Sequence, residues 1–382
     1  MRHASLLALV LVASFVAACG DSSVDPGGGP EGGSGQGGEA AGGGGASPCP
    51  IGSHDDGDGA CIASLGAFEV GPQIADERDH HMTWAAKRAS GTYLYVAGGY
   101  ADMTTPVDSI ERAVIAQDGT LGPWETLPST SNVSGAAVVA TDEVVVFAGG
   151  FRATSSSTRN VDIFTIGDDG TLSEPIAGPL MADPRFHGAG VLTGGFFYAV
   201  GGLDASGSSL ASVERASLDG TTLGAWSTEA ALPVEVSHHG LATDGEALYV
   251  TGGLKRVDND FGNDVPYDAV LRARLAEDGS LESWEEIGTL PVPLAVHASF
   301  VHAGELYVVG GLDMQEERFV GTLQRAKVSA DGPLGEWEEL DVTLPRPRGH
   351  THQTPIVDGV LYSVAGHQNG ASQRDTYFAR FE

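Results

Sequence analysis

The chain has 382 residues, with 20 lysines and arginines against 51 aspartates and glutamates and a net charge of −31. Glycine contributes 55 residues, hydrophobic residues 41% and charged residues 19%. That much glycine excludes a coiled coil, and the apolar fraction excludes a wholly disordered chain. So acidic a surface repels phosphate backbones, which excludes nucleic acid as a partner.

Met1-Arg2-His3 is a short basic start, and the apolar run from Ala4 to Ala18 is too short for an ordinary spanning helix. It predicts a signal peptide over 1–18. Val16-Ala17-Ala18-Cys19, followed by the polar Gly20-Asp21-Ser22-Ser23, resembles the bacterial lipobox. The resemblance implies cleavage before Cys19 and lipidation of that cysteine. Contact with the membrane is then through a lipid anchor only, at the outer membrane or cell surface, with the periplasmic side as the other placement. Cleavage after Ala18 by the ordinary route is the alternative. Residues 19–47 read as a lipidated cysteine and a tether: from Pro26 to Ser47, twelve of 22 residues are glycine.

Cys49 and Cys61 are the only other cysteines. In an exported chain such a pair predicts a disulfide, here closing the acidic loop His54-Asp55-Asp56-Gly57-Asp58-Gly59. A calcium site is the sharper reading of those carboxylates, but the loop lacks the EF-hand spacing and its terminal glutamate. Residues 48–63 are therefore expected to be a disulfide-clipped acidic loop between tether and domain.

From residue 64 onward the chain repeats. Apolar strands ending in a glycine pair recur at Leu94 to Gly99, Val144 to Gly150, Phe196 to Gly202, Leu248 to Gly253 and Leu306 to Gly311, and Leu361 to Gly366 keeps one glycine. An Asp-Gly turn and a tryptophan strand follow, as in Asp118 to Trp124, Asp278 to Trp284 and Asp331 to Trp337. Asp219 to Trp226 carries one extra residue, and Asp169 to Pro175 has lost the aromatic. The last tryptophan strand is missing at the C-terminus, but Ser64-Leu65-Gly66-Ala67-Phe68 supplies its like at the other end. The count closes only if the N-terminal strand completes the last repeat, with about 53 residues per unit.

The Gly-Gly pairs and downstream tryptophans resemble those of Kelch-repeat β-propellers, and the resemblance covers 64–382. It implies an all-β fold: a six-bladed propeller of four-stranded blades, closed by the N-terminal strand. Naming the strands a to d from axis to rim, d-to-a and b-to-c connections share one face. Asp-Gly turns at 118, 169, 278 and 331 become c-to-d hairpins. Arg112, Arg215, Arg272 and Arg325 recur once per blade and are expected to bridge blades rather than bind substrate. The tryptophans are expected to pack the rim.

His81, His187, His239, His297, His350 and His352 lie between a blade's proline and strand a, which would put them near the axis. Convergent imidazoles could bind a metal or shuttle protons. Imidazoles repeated with the blades are better explained by hydrogen bonding between blades, since repetition of the fold alone produces such rings, and no metal site is assigned. Arg185 and Arg348 are in the same segments without repeating in every blade, which makes them ligand candidates, for carboxylates especially. The connection 255–264 in blade four is long, and its Asn and Asp residues suit an exposed turn better than a lid or a calcium loop.

Kelch propellers include scaffolds and enzymes, so fold alone does not choose. No cysteine lies within 64–382, which removes the copper chemistry of the galactose oxidase branch. The expectation is a monomeric, non-catalytic binding module for a protein or glycan, with no cofactor and no catalytic residue assigned. Its binding candidates are His81, Arg185, His187, His239, His297, Arg348, His350 and His352. The alternative is a carbohydrate-active enzyme of the sialic acid epimerase (mutarotase) type.

Overall fold

Apolar runs that end in glycine dictate the architecture. The computed structural model describes residues 53–55 and 61–382, apart from 103–104, 153–156 and 352. Cys19, Cys49, His352 and most of the acidic loop lie outside the described residues. His54–Asp55 and Cys61–Ile62 pair as a short antiparallel hairpin. Among the described residues the only helix is a 3-10 turn, Phe261–Asn263.

Six larger antiparallel sheets, five of four strands and one of five, follow one another along the chain. Sheet one takes strands a to d from Met82–Arg88, Gly91–Ala97, Ser109–Ile115 and Glu125–Thr130. Sheet two begins at Ala137–Ala140, sheet three at Ala189–Thr193, sheet four at Gly240–Thr243 and sheet five at Ala298–His302. Sheet six runs Ile356–Val357, Val360–Val364, Thr376–Arg380 and then Glu69–Val70 from the other end of the chain. The b strands are continuous apolar runs because neighbouring sheets cover both faces: every residue of Val144–Ala148 is buried. The d strands face solvent at the rim and alternate, as Glu125–Thr130 does.

Packing closes the ring. Apolar clusters fill each gap between successive sheets, and one of them joins Leu94 and Val96 of sheet one to Val360, Tyr362 and Val364 of sheet six. Such packing of sheet on sheet around an axis is a β-propeller. At the seam Glu69 opposes Phe378 and Val70 opposes Tyr377, while Ser64 and Glu382 exchange backbone hydrogen bonds of 3.0 and 2.8 Å.

Polar side chains stitch the rim in two directions. Trp124, Trp226, Trp284 and Trp337 each donate Nε1–H to a backbone carbonyl of the preceding sheet's d-strand region, at Pro72, Pro179, Ala230 and Thr289. The c-strand arginines reach the other way. Arg112 donates to the Asp169 carbonyl, Arg215 to Asp278, Arg272 to Ser329, Arg325 to Ala63 and Arg380 to Asp118. The Asp-Gly turns they meet are self-braced: Asp118 accepts from both the N–H and hydroxyl of Thr120, and Gly119 follows at φ 81°.

Candidate functional site

The axis is built by one backbone position repeated in every sheet. His80, Gly135, His187, His238, Val296 and His350 precede their a strands, and all six have φ between 51° and 68°. Five backbone hydrogen bonds link them in chain order. Gly135 N–H donates to the His80 carbonyl, His187 to Gly135, His238 to His187, Val296 to His238 and His350 to Val296, at 2.8–3.1 Å. Left-handed backbone turns these side chains away from the sheets, and the four imidazoles meet. Ring centroids lie 3.9 Å apart for His80 and His350, 4.7 Å for His80 and His187, and 4.0 Å for the stacked His187 and His238. Side chains from sheets one, three, four and six can converge so closely only on the axis.

Asp79 anchors this cluster. Its carboxylate is fully buried, takes a short hydrogen bond from His80 Nδ1, accepts 2.6 Å from the Ser372 hydroxyl and lies 3.4 Å from His367 Nδ1. Burial alone pushes the carboxyl up, but His80 and His367 outweigh it and hold Asp79 well below the usual carboxylate range. One nitrogen from each of His80, His187 and His350 falls within 4.8 Å of the others.

The residue after each axial position faces elsewhere. His81, His239 and His297 are buried between sheets at 2%, 1% and 0% exposure. A Cβ added to Gly201 of sheet three would lie 2.8 Å from His239 Cε1, and one on Gly252 of sheet four 3.1 Å from His297 Cε1. The glycine pairs thus admit an imidazole from the next sheet. Burial pulls the His81 and His239 rings down to about 3, with Arg78 adding to it for His81 and His297 for His239. Burial pulls His297 down to about 4, although Thr251 works against it; Thr251 Oγ1 lies 2.8 Å from Nε2. These three are uncharged packing groups at neutral pH. Of the sequence candidates, His187 and His350 belong to the axial cluster, which His80 and His238 complete.

Arg185 and Arg348 are fully buried and committed within their own sheets. Arg185 pairs with Glu214 at 2.7 Å and donates to the Gly201 and Ser212 carbonyls. Arg348 donates to the carbonyls of Ala365 and Asp375. Arg78 repeats the pattern with Glu111 at 2.6 Å.

Around the axis the b-to-c connections form a crown of small hairpins. Tyr100–Ala101 pairs Thr105–Pro106, Leu254–Lys255 pairs Val265–Pro266, Leu312–Asp313 pairs Arg318–Phe319, and His367–Gln368 pairs Ala371–Ser372. Bridges such as Asp79 to Tyr100, Ser237 to Leu254 and Gly349 to His367 fasten each hairpin beside an axial residue. In the long connection of sheet four, Arg256 holds Asp264 through two hydrogen bonds of 2.8 and 2.5 Å, and Asp260 caps the 3-10 turn. Where sheets six and one meet, the crown carries a groove of about 540 Å³ lined by Asp76, Glu77, Asp108 and Arg374 among others.

No protein-family model matches the chain. It is similar to curated Kelch-repeat proteins. Kelch repeat and BTB domain-containing protein 12 of Danio rerio is 30% identical over 174 residues, which is 43% of this chain and 26% of that protein. Kelch-like protein terF of Aspergillus terreus is 27% identical over 192 residues, 49% of this chain and 40% of that protein. A Kelch repeat-containing protein of Arabidopsis thaliana is 30% identical over 136 residues, 35% of this chain and 29% of that protein. The chain thus spans less than half the length of each of these relatives. Together with the ring of sheets, the similarities support a Kelch-repeat family for this propeller.

Proposed function

We propose that the chain is a six-bladed Kelch-type propeller acting as a monomeric, non-catalytic binding module for a protein at the cell envelope. A glycan is the second class of ligand it would accept. The hairpin crown is the observation that carries this reading: it offers a broad, loop-built surface on a rigid scaffold, the usual place for recognition. Similarity to Kelch-repeat proteins supports a protein partner. The acidic charge favours a partner with a basic surface and speeds encounter with it. Arg185 and Arg348 have their guanidinium groups engaged inside their sheets, so the face recognises by shape and charge. In this proposal residues 1–18 direct export, Cys19 carries lipid at the outer membrane or cell surface, and residues 20–47 give reach. A Cys49–Cys61 disulfide closes the acidic loop.

Photo-crosslinking residues introduced at Lys255 and Arg318 on the crown, and at Gln117 and Asp219 on the opposite face, test the surface. Crosslinks to one partner from the crown positions alone are expected, weakened as salt rises. Equal yield from both faces would overturn it. Incorporation of an alkyne-tagged fatty acid that is lost on Cys19→Ser tests the anchor.

A further inference from the structure

Beyond binding at the crown, we propose that His80, His187 and His350 together hold one divalent transition-metal ion on the propeller axis, with Asp79 as the group that orients His80. The proposal starts from what the backbone does not need. Gly135 and Val296 occupy the same left-handed position and carry the same succession of hydrogen bonds without an imidazole. Histidine at the other positions therefore answers to something other than closing the ring. Three of those imidazoles bring one ring nitrogen each to within 4.8 Å of the others.

The surroundings suit a metal ligated by nitrogen. With His80 Nδ1–H donating to Asp79, the lone pair is left on Nε2, the arrangement by which a carboxylate fixes the tautomer of a metal-binding histidine. Asp79 is in turn held by the Ser372 hydroxyl at 2.6 Å. His238 stacks on the face of His187 at 4.0 Å and supports that ring from behind. The His80 side chain keeps 11% exposure, which gives an ion a way in from the crown.

Imidazole ligands select zinc, nickel, cobalt or copper over calcium and magnesium, which want oxygen. Tetrahedral zinc with Zn–N bonds of about 2.0–2.1 Å places its nitrogens about 3.3 Å apart, so the ring nitrogens, now within 4.8 Å of one another, would draw together on binding. Three protein ligands leave a position open to water or to a donor group of a bound partner. Such an ion would tie sheets one, three and six together at the axis.

The test is titration of the full chain, purified without a polyhistidine tag and stripped by chelator, with Zn²⁺, Ni²⁺ and Ca²⁺ in calorimetry. One equivalent of zinc is expected, unaffected by excess calcium. His187→Gln and His350→Gln should each abolish that equivalent. Asp79→Asn should weaken it by about 10–100-fold while keeping the stoichiometry, and His297→Gln, between the sheets, should leave it in place. Copper bound to the unaltered protein should show coupling to imidazole nitrogens in its paramagnetic resonance spectrum, a readout that stands even if a variant fails to fold. Absence of a zinc equivalent, its survival in the His187→Gln, His350→Gln double variant, or a copper spectrum without nitrogen coupling would overturn the proposal.

Discussion

Arg185 and Glu214 form an ion pair of 2.7 Å in which the side chains are 0% and 2% exposed. Glu214 also accepts from the N–H groups of Ala182 and Asp183, so one carboxylate ties strand c to the d-to-a loop and to the guanidinium. Removing one member of such a pair leaves the other charge buried without its counterion. Arg185→Ala is therefore expected to cost about 3–5 kcal/mol, and Arg185→Met with Glu214→Leu distinctly less. Denaturant midpoints of the two variants check this. A single variant within 1 kcal/mol of the unaltered protein, as is typical of surface pairs, would sink the argument.

Acid should destabilise the propeller through the histidines between its sheets. His81 and His239 stand at about 3 and His297 at about 4 when folded, against 6.5 when unfolded. The unfolded chain then binds the extra protons, so stability is fully present above about 6.5 and is lost as the pH falls toward 4 and 3. At pH 5 the loss is roughly 2 kcal/mol for each of the three. Urea midpoints measured from pH 7.5 to 5 should show that slope, and His239→Gln should reduce it by about a third.

Sheet six breaks the glycine rule. Ala365 stands where the other sheets carry the first glycine of the pair, and it holds φ 52°. A left-handed conformation costs an L-residue about 1–2 kcal/mol. Ala365→Gly is expected to raise stability by roughly 1 kcal/mol, less the added chain entropy of the unfolded state. The reverse change at Gly98, where a Cβ would come 1.9 Å from the Val133 carbonyl oxygen, should prevent folding or cost several kcal/mol. Thermal melts of both variants separate the two outcomes.

Closure of the ring depends on a two-residue strand. Deleting the chain through Ile62 should leave the melting transition cooperative. Deleting through Gly71 removes Leu65, Glu69 and Val70, and exposes the edge of Thr376–Arg380, so loss of cooperativity and aggregation in size-exclusion chromatography are expected. Equal melting temperatures for the two truncations would show that the strand contributes nothing.

The repeats were legible because the Gly-Gly strands and the tryptophans recur at a fixed distance, and each has one structural task. The inter-sheet role of Arg112, Arg215, Arg272 and Arg325 was legible for the same reason. The axial site was blurred by a slip of one residue. His80-His81 and His238-His239 are doublets, and aligning the repeats on histidine alone joined His81, His239 and His297 to His187 and His350. In the structure these are adjacent positions with opposite fates: one has positive φ and faces the axis, the next is buried between sheets, with His239 and His297 packed against a glycine of the preceding sheet. No feature of residue type marks a left-handed backbone when the residue is histidine or valine. Counting 14 residues back from the first glycine of the pair aligns Gly135, His187, His238 and Val296, whereas His80 and His350 stand farther from theirs. Arg185 and Arg348 show a further contrast. Their absence from some sheets suggested ligand duty, whereas Arg185 pairs with Glu214 of strand c and Arg348 lies 3.7 Å from Asp375, the residue before strand c.

The pairing of Ser64 with Glu382 has a mechanical meaning. Both ends of the propeller lie at the same spot on the rim, so a load applied upstream of Ser64 meets the Ser64–Glu382 and Leu65–Phe381 contacts first, then the Glu69–Val70 ladder, before the sheets behind it. That ladder peels one register pair at a time. The seam is thus built as a fuse: it is expected to open before the other five sheets bear tension, while its partner strand, Thr376–Arg380, keeps its pairing to Val360–Val364 and so offers a template for re-zipping.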